Sequence, residues 1–218
     1  MIRSTTGRDL CELFDAEARR HLQHDMDTLS LPTALGCIIM FMCSAYFGRD
    51  RAGAMYRHLG YDMLDRLAIP ESIEDVPDLA KKRAYSKAVW GAYCYESIIA
   101  ALQNKTPALR IPTIPRIFQE HASSSEPVEN VDLFGEPFTS ASFRPPFTPG
   151  ILNAACDLNI LQNEVTRYNE EVLQSEKEGD LPTRRGLYNK VLAWRKSLPR
   201  HLLNEANHTP GTCLLRCV

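Results

Sequence analysis

The segment of residues 83–115 constrains the fold most, because a long aromatic-rich run is followed there by a series of prolines. The run carries Trp90, Tyr93 and Tyr95, and its apolar second half predicts a helix over residues 79–103 that serves burial rather than chemistry. Because proline does not continue a helix, we expect the following segment to be extended and to lie over the surface. Its prolines are Pro107, Pro112 and Pro115.

Apolar residues recur at helical spacing in other parts of the chain as well. Ser30 followed by Pro32 fits a helix start with the serine as N-cap. The other predicted helices span about residues 8–27, 30–48, 50–68, 150–177 and a final stretch that ends at Pro199. No segment alternates with period two for long enough to predict a strand. We therefore predict an all-α fold, a multi-helical array of antiparallel helix pairs with a Pro/Ser/acidic insertion loop.

The apolar residues of each helix predict the face that it buries. The predicted faces are Leu10, Phe14, Ala18, Leu22 and Met26 in the first helix, Met55, Leu59, Met63 and Leu67 in the third, Ile151, Ala155, Leu158, Leu161, Val165, Tyr168 and Val172 over residues 150–177, and Leu187, Val191, Trp194 and Leu198 in the last. The helix that begins after Ser30 is apolar on nearly all sides, which predicts contact with several neighbours.

Residues 119–149 differ in composition from the rest, because they are rich in serine, proline and acidic residues. Such a composition predicts a flexible insertion. Phe134, Phe138, Phe143 and Phe147 indicate that parts of it dock onto the helical body. The predicted organisation is a helical domain in two parts, residues 1–118 and 150–205, with the insertion at 119–149 and an irregular tail at 206–218.

The charge balance of the chain bears on nucleic-acid binding. A chain of 218 residues with 44% hydrophobic residues is of ordinary globular composition, and its formal net charge is −2. A face that grips DNA phosphates needs a basic excess, so we do not expect this chain to bind DNA by itself. The densest basic runs, Lys81-Lys82-Arg83 and Arg184-Arg185, are interpreted as solvated helix ends.

The seven cysteines are irregularly spaced and mostly have apolar neighbours. Their odd number and the lack of a signal-like start predict reduced thiols in a cytosolic or nuclear protein, packed as small hydrophobes. They are Cys11, Cys37, Cys43, Cys94, Cys156, Cys213 and Cys217.

Residues 28–48 carry no charge and raise the question of a membrane span. The strongly apolar part, residues 34–47, is shorter than the roughly 20 residues that a spanning helix needs. We therefore predict a buried core helix and no membrane association.

Two groups of residues contain zinc-ligand side chains. His21, His24 and Asp25 lie together in the first helix, and His201, His208, Cys213 and Cys217 lie near the carboxyl end. Neither spacing fixes a complete ligand set, so we interpret His21 and His24 as exposed and predict no structural zinc. Cys37 and Cys43 lie on an apolar helix, where zinc ligation is less expected still. The sequence contains no phosphate-binding loop, nucleophile elbow or zinc-protease motif.

Glu96 is the one carboxylate within an apolar run, and a buried carboxylate needs a partner. We interpret it as half of an ion pair or hydrogen bond with an arginine of another helix. The alternative, a catalytic acid, would need a second titratable group that the sequence does not identify. Trp90 and Trp194 are interpreted as core residues, with a ligand pocket as the alternative. No catalytic, metal-binding or DNA-binding residue is assigned, and ligand-binding residues remain unknown.

A series of short sequences in order resembles the regulatory, or middle homology, domain of fungal binuclear-zinc-cluster transcription factors. The resemblance covers about residues 30–205. Its elements are the hydrophobic helix after Ser30, Gly48-Arg49-Asp50-Arg51, Asp65-Arg66-Leu67-Ala68-Ile69, Lys82-Arg83, Trp90-Gly91, Glu96, Lys105-Thr106-Pro107, and Leu192-Ala193-Trp194-Arg195 through Leu198-Pro199. The resemblance implies a nuclear, non-enzymatic helical domain that regulates transcription by RNA polymerase II.

The sequence departs from that family at both ends. The six-cysteine module that holds two zinc ions and binds DNA is missing, so no zinc or DNA-binding residue carries over, and no cofactor is expected in this chain. The segment after residue 207 loses helical periodicity, which suggests a truncated product or a gene model with a missed splice site. Expected partners are proteins of the transcription machinery, a second copy of the chain, or a small-molecule effector. The alternative is a helical scaffold or helical enzyme unrelated to transcription.

Overall fold

The computed structural model describes residues 10–69, 73–118, 150–175, 181–203, 213 and 215. Seven helices lie within these ranges, and no strand does, which confirms the predicted all-α fold. They are α1 (Leu10–Asp25), α2 (Leu31–Tyr46), α3 (Asp50–Arg66), α4 (Leu79–Leu102), α5 (Ile151–Ser175), α6 (Leu181–Ser197) and α7 (Arg200–Leu203).

The helices fall into two compact units. Unit 1 comprises the chain up to Ala92 together with Pro112–Pro115, and unit 2 comprises Tyr93–Ile111 and the chain from Arg116 onward. Helix α4 is continuous across the boundary, with its first part in unit 1 and its last part in unit 2.

In unit 1, both ends of α2 are set by local sequence. Ser30 is the N-cap, and its hydroxyl accepts a hydrogen bond from the Thr33 amide at 3.2 Å, as predicted. Pro32 lies in the first turn, where its missing N–H costs nothing. At the other end Gly48 takes a left-handed φ of +66°, and the next amide, of Arg49, reaches back to the Ser44 carbonyl at 2.8 Å. The chain therefore reverses within three residues and leads directly into α3.

Helices α2 and α3 are antiparallel neighbours, as predicted from the short turn, and their backbones approach closely at two glycines. A Cβ placed on Gly60 would lie 2.9 Å from the Ala34 carbonyl oxygen and from the Ile38 side chain. A Cβ on Gly53, nearer the turn, would lie 3.1 Å from the Phe41 ring. Small residues thus set the distance between these two helices.

The core of unit 1 differs from the predicted helix faces. Its buried cluster contains Leu22, Ala34, Cys37, Met40 and Met63. Phe14 in α1 and Met55 in α3 were expected on the buried stripes, yet they are 72% and 70% exposed. Leu59 and Met63 of the predicted α3 stripe do pack in this cluster, but Gly53 and Gly60, which carry no apolar signal, form part of the face of α3 that contacts α2.

Helix α1 is joined to the α2–α3 turn by a buried carboxylate. Asp15, with 7% of its side chain exposed, lies 2.8 Å from the Arg49 guanidinium and 3.0 Å from that of Arg19 on its own helix. An almost fully buried carboxylate requires such partners. This contact supplements the apolar packing of Leu22 against α2.

The proline-rich segment after α4 has no helix or strand, as predicted, and part of it belongs to unit 1. The Ser86 hydroxyl donates to the Pro115 carbonyl at 2.9 Å, and the Trp90 indole N–H donates to the Ile114 carbonyl at 3.1 Å. Both donors lie on α4 and bind carbonyl oxygens, so the missing amide hydrogens of proline do not matter here. Trp90 is 5% exposed, which confirms its interpretation as a core residue.

In unit 2, helices α5, α6 and α7 enclose an apolar cluster. Its buried members are Ala154, Leu158, Trp194, Leu198, Leu202 and Leu215, with Ile151, Ala155 and Leu161 packed against them. The burial of Trp194 and Leu198 confirms the predicted face of the last long helix. That helix begins at Leu181.

Two predicted segments can be compared with the structure only in part or not at all. The insertion at residues 119–149, with its four phenylalanines, lies outside the described residues. In the tail at 206–218, predicted to be irregular, Cys213 and Leu215 are helical. Leu215 is 2% exposed within the apolar cluster of unit 2, so burial of one leucine supports a turn that periodicity did not reveal.

Length and composition of the described helices also bear on the membrane question. Within the ranges given above, no helix is both long and apolar enough to cross a membrane.

Candidate functional site

The second half of α4 and one face of α5 form a buried polar seam in unit 2, which we define as Tyr93, Ser97, Asn159, Asn163 and Thr166. Each of its residues is at most 5% exposed. Tyr93 and Ser97 are four apart on α4, and the other three follow a four-three spacing on α5, so each set shares one helix face. Helix α5 therefore buries two faces, an apolar face against α6 and a polar face against α4.

Asn163 holds the centre of the polar seam. Its amide nitrogen donates to the Tyr93 hydroxyl at 2.6 Å and to the Ser97 hydroxyl at 2.9 Å. The Ser97 hydroxyl itself donates to the Tyr93 carbonyl at 2.7 Å, so its oxygen must accept from Asn163. This chain of donors fixes which way the Asn163 amide points. Burial raises the pKa of the Tyr93 hydroxyl above its ordinary value, while the hydrogen bonds with Asn163 and Ser97 act in the opposite direction.

The two asparagines of the polar seam each bury a carbonyl oxygen that has no hydrogen-bond partner among the described residues. Asn159 uses its amide nitrogen on the Ala155 carbonyl at 2.7 Å, and Asn163 uses its own on α4. A buried acceptor without a donor costs free energy. The hydrogen bonds of the polar seam therefore orient α5 against α4, while its two unpaired carbonyl oxygens lower the stability of the fold. Buried polar networks can specify one arrangement of helices in this way.

Cys94 and Cys156 flank the polar seam. Their sulfur atoms are 3.6 Å apart, and both cysteines are free. Cys94 is partly exposed, whereas Cys156 is 3% exposed. Arg116, whose guanidinium lies 2.6 Å from the Asp157 carboxylate, contributes a positive field at both sulfurs. The two thiols are close enough to share a proton, and an external two-electron oxidant could join them as a disulfide.

Glu96 is fully buried, as the apolar run predicted. Its carboxylate accepts a hydrogen bond at 2.8 Å from the backbone amide of Ala108, in the segment that follows α4. The donor of this bond is a main-chain N–H, and the predicted pairing of Glu96 with an arginine stays a prediction. Such a bond fastens the segment after α4 to the helix, and it supports a structural role for Glu96.

Further contacts of that segment lie nearer the surface. The Thr106 amide donates to the Glu170 carboxylate of α5 at 2.9 Å, and the Thr106 hydroxyl donates to the same oxygen. Asn104 ends α4 in a left-handed conformation with a φ of +51°, and the Lys105 amide returns to the Ala100 carbonyl at 2.9 Å. The left-handed turn at Asn104 thus ends the helix directly before Lys105-Thr106-Pro107, and Thr106 joins this segment to α5.

The two groups of candidate zinc-ligand side chains, for which we predict no structural zinc, lie only partly within the described residues. No group of three or more His, Cys, Asp or Glu side chains suited to a metal occurs among the residues described. His21 is 63% exposed and lies 3.1 Å from Glu17, and His24 is also exposed. Cys213 and His201 are both exposed, and His208 and Cys217 lie outside the described residues. Cys37 is fully buried, and burial raises the pKa of its thiol, which disfavours ligation.

A cleft of about 460 Å³ lies in unit 1 between α1, the α1–α2 connection and α2. Apolar side chains such as Leu22, Ile39 and Met40 line most of it, and His21 and Asp25 stand at its polar side. Its volume is in the range that binds small molecules. The sequence offered no sign of this cleft, because its walls come from two helices whose angle is set by packing.

The residues of the polar seam escaped the sequence interpretation for a clear reason. Asn159 and Asn163 sit within an amphipathic helix, where an asparagine usually indicates a solvent-facing position. Helical periodicity alone does not show that a second helix, α4, covers the polar face on which they lie. No protein-family model, curated protein or solved structure matches the chain.

Proposed function

We propose that this chain is a transcription-regulatory domain that acts through protein contacts, with a second copy of itself as the partner. The carrying observation is the outward face of α2, which consists of Leu35, Ile39, Met42 and Tyr46. Leu35 is partly buried, and the other three are 57%, 49% and 73% exposed. A contiguous apolar face of this kind on a folded domain usually marks an interaction surface.

The spacing and charge of this outward face favour a second α2 as its occupant. The four residues are separated by four, three and four positions, which is the spacing of a helix–helix seam. Helix α2 carries no charged residue, so two copies related by a two-fold axis would meet without like-charge repulsion. One helix presents a small area, so we expect a weak, concentration-dependent dimer.

The transcriptional part of the proposal rests on the resemblance to the fungal zinc-cluster regulatory domains. In that setting the domain is nuclear and non-enzymatic, carries no metal of its own, and reaches DNA only through a zinc-cluster module in a longer protein. The burial of Ser97 and Glu96 supports the non-enzymatic assignment, since a substrate would not reach them. The cleft beside α1 supports a second role in the same setting, which is the binding of a small effector at His21 and Asp25.

The experiment fuses the whole chain to a heterologous DNA-binding domain and measures transcription of a reporter gene. We expect the fusion to change reporter transcription relative to the DNA-binding domain alone, and sedimentation of the purified chain to show a monomer–dimer equilibrium in the micromolar range. The double variant Met42→Glu/Tyr46→Glu should abolish both, because the carboxylates introduced on each copy would be buried at the seam. Helical circular dichroism checks that the variant is folded.

The matched control is Leu173→Glu/Leu181→Glu, which also replaces two exposed apolar residues, 65% and 74% exposed. It should leave dimerisation and reporter transcription unchanged. Reporter transcription equal to that of the DNA-binding domain alone would contradict the regulatory role. A monomer with full reporter activity would instead contradict the second copy as partner.

A further inference from the structure

Two free thiols in contact are the feature of unit 2 that the proposed function leaves unused. The Cys94 and Cys156 sulfurs are 3.6 Å apart, one on α4 and the other on α5. A disulfide requires about 2.05 Å between sulfurs, so closure needs a movement of about 1.5 Å shared between two side chains. The cysteines are 62 positions apart in sequence, so only the fold brings them together.

The hydrogen bond between the two thiols favours the loss of one proton, which gives the thiolate that reacts with an oxidant. The Cys94 thiol donates to Cys156, which lowers the pKa of Cys156 and raises that of Cys94. Burial opposes ionisation of both thiols, and the charge of Arg116 favours it. The first proton therefore leaves the pair more readily than it would leave an isolated buried thiol, and the second is held more firmly. Partial exposure of Cys94 gives a small oxidant access to the pair.

We propose that Cys94 and Cys156 form an oxidation site at which a peroxide converts the two thiols into an intramolecular disulfide joining α4 to α5. The inference does not depend on the proposed transcriptional role. Cys37 should be less reactive than this pair, because its thiol is fully buried and burial raises its pKa.

The reaction proceeds in two steps with hydrogen peroxide as the oxidant. The thiolate of one cysteine attacks a peroxide oxygen, the O–O bond breaks, and a sulfenic acid and water form after one proton is taken up. The second thiol then attacks the sulfenic sulfur, the S–S bond forms, the S–O bond breaks, and a second water leaves. Two thiols lose two electrons in total, and one peroxide is reduced to two waters.

The bond would act on the polar seam. Cys94 directly follows Tyr93, and Cys156 lies one turn before Asn159, so the disulfide would cross-link the two helices beside the Tyr93–Asn163 hydrogen bond. We expect the oxidised form to unfold at a higher temperature than the reduced form, because the cross-link restricts the unfolded chain.

The test treats the reduced full-length chain with about one equivalent of hydrogen peroxide, blocks the remaining thiols with an alkylating agent, and identifies linked peptides by mass spectrometry. We expect a Cys94–Cys156 peptide pair lighter by two hydrogen atoms, formed at least about tenfold faster than Cys37 is oxidised. Dithiothreitol should reverse the product and lower the unfolding temperature again. Trapping with dimedone should label Cys156→Ser at Cys94, because the second thiol that would displace the sulfenic oxygen is then missing.

The control variant is Cys43→Ser, which changes a partly buried cysteine of α2 and should leave the disulfide yield unchanged. Cys94→Ser should lose the linked peptide while keeping the helical dichroism of the parent. If either serine variant fails to fold, the parent protein still decides the matter through its linked peptides. Oxidation that stops at sulfinic acid, or that pairs either cysteine with another thiol, would overturn the proposal.

Discussion

At the residue scale, Asn163 is the side chain on which the polar seam depends. We predict that Asn163→Ala lowers the free energy of unfolding by at least about 2 kcal/mol, because it withdraws the donor from two buried hydroxyls and leaves a void. Tyr93→Phe should cost about 1 kcal/mol, since Asn163 keeps its bond to Ser97. Urea unfolding followed by circular dichroism measures both values.

The control for this pair is Asn189→Ala, at an exposed position of α6, which should change the free energy by less than about 0.5 kcal/mol. If Asn163→Ala were as harmless as this control, the hydrogen bonds of the polar seam would contribute nothing measurable to stability.

Single residues were predictable where an unusual residue type demanded one environment. The capping role of Ser30 and the burial of Trp90, Trp194 and Glu96 followed from such demands. The hydrogen bond from the Ala108 amide to Glu96 did not, because a main-chain amide carries no signature in the sequence. The asparagines of the polar seam were missed for a related reason, since a polar residue on a helix is read as exposed until a second helix is known to cover it.

At the element scale, the α2–α3 pair is set by its glycines. We predict that Gly60→Ala destabilises unit 1 by about 1–3 kcal/mol, because the new methyl group would lie 2.9 Å from the Ala34 carbonyl and force the helices apart. Gly91→Ala, also inside a helix but with nothing described within 4 Å of the new methyl, should stabilise by about 0.5–1 kcal/mol.

Thermal and urea unfolding of the two glycine variants measure this contrast. The opposite signs make the comparison informative, since both changes add the same atom to a helix interior. Stabilisation by Gly60→Ala would show that the helices can separate without loss.

Helix positions were the most predictable part of the fold, and helix faces were less so. The spacing placed α4 and α5 within two residues of their observed ends. Phe14 and Met55 are exposed, although Leu22 and Met63 of the same predicted stripes are buried. In α3, periodicity reports where apolar residues lie, whereas close packing at Gly53 and Gly60 depends on where side chains are missing. The face of the last long helix succeeded because Trp194 and Leu198 are large and have few alternatives.

At the scale of the whole molecule, apolar packing rather than metal ligation is expected to stabilise each of the two units. We predict that a chelator such as EDTA leaves the far-ultraviolet circular dichroism and the unfolding temperature unchanged, because the clusters around Leu22 and Trp194 consist of apolar side chains. A loss of helical signal on chelation, restored by zinc but not by magnesium, would contradict this.

The all-α class was predictable for the whole chain because every long segment carried helical spacing and none alternated. The grouping of helices was not. The compact units are interleaved along the sequence, with Pro112–Pro115 belonging to unit 1 and the residues on either side of it to unit 2. Such an arrangement depends on hydrogen bonds like that from Trp90 to Ile114, which join residues distant in sequence.

The two tryptophans lie in different units, so each unit has its own intrinsic fluorophore. Trp90 belongs to unit 1 and donates its indole hydrogen to a carbonyl, while Trp194 belongs to unit 2 and sits among leucines. Their emission spectra should therefore differ, and replacing either with phenylalanine isolates the fluorescence of the other. The thermal unfolding of each unit can then be followed separately by the tryptophan fluorescence of the matching variant, without an attached dye.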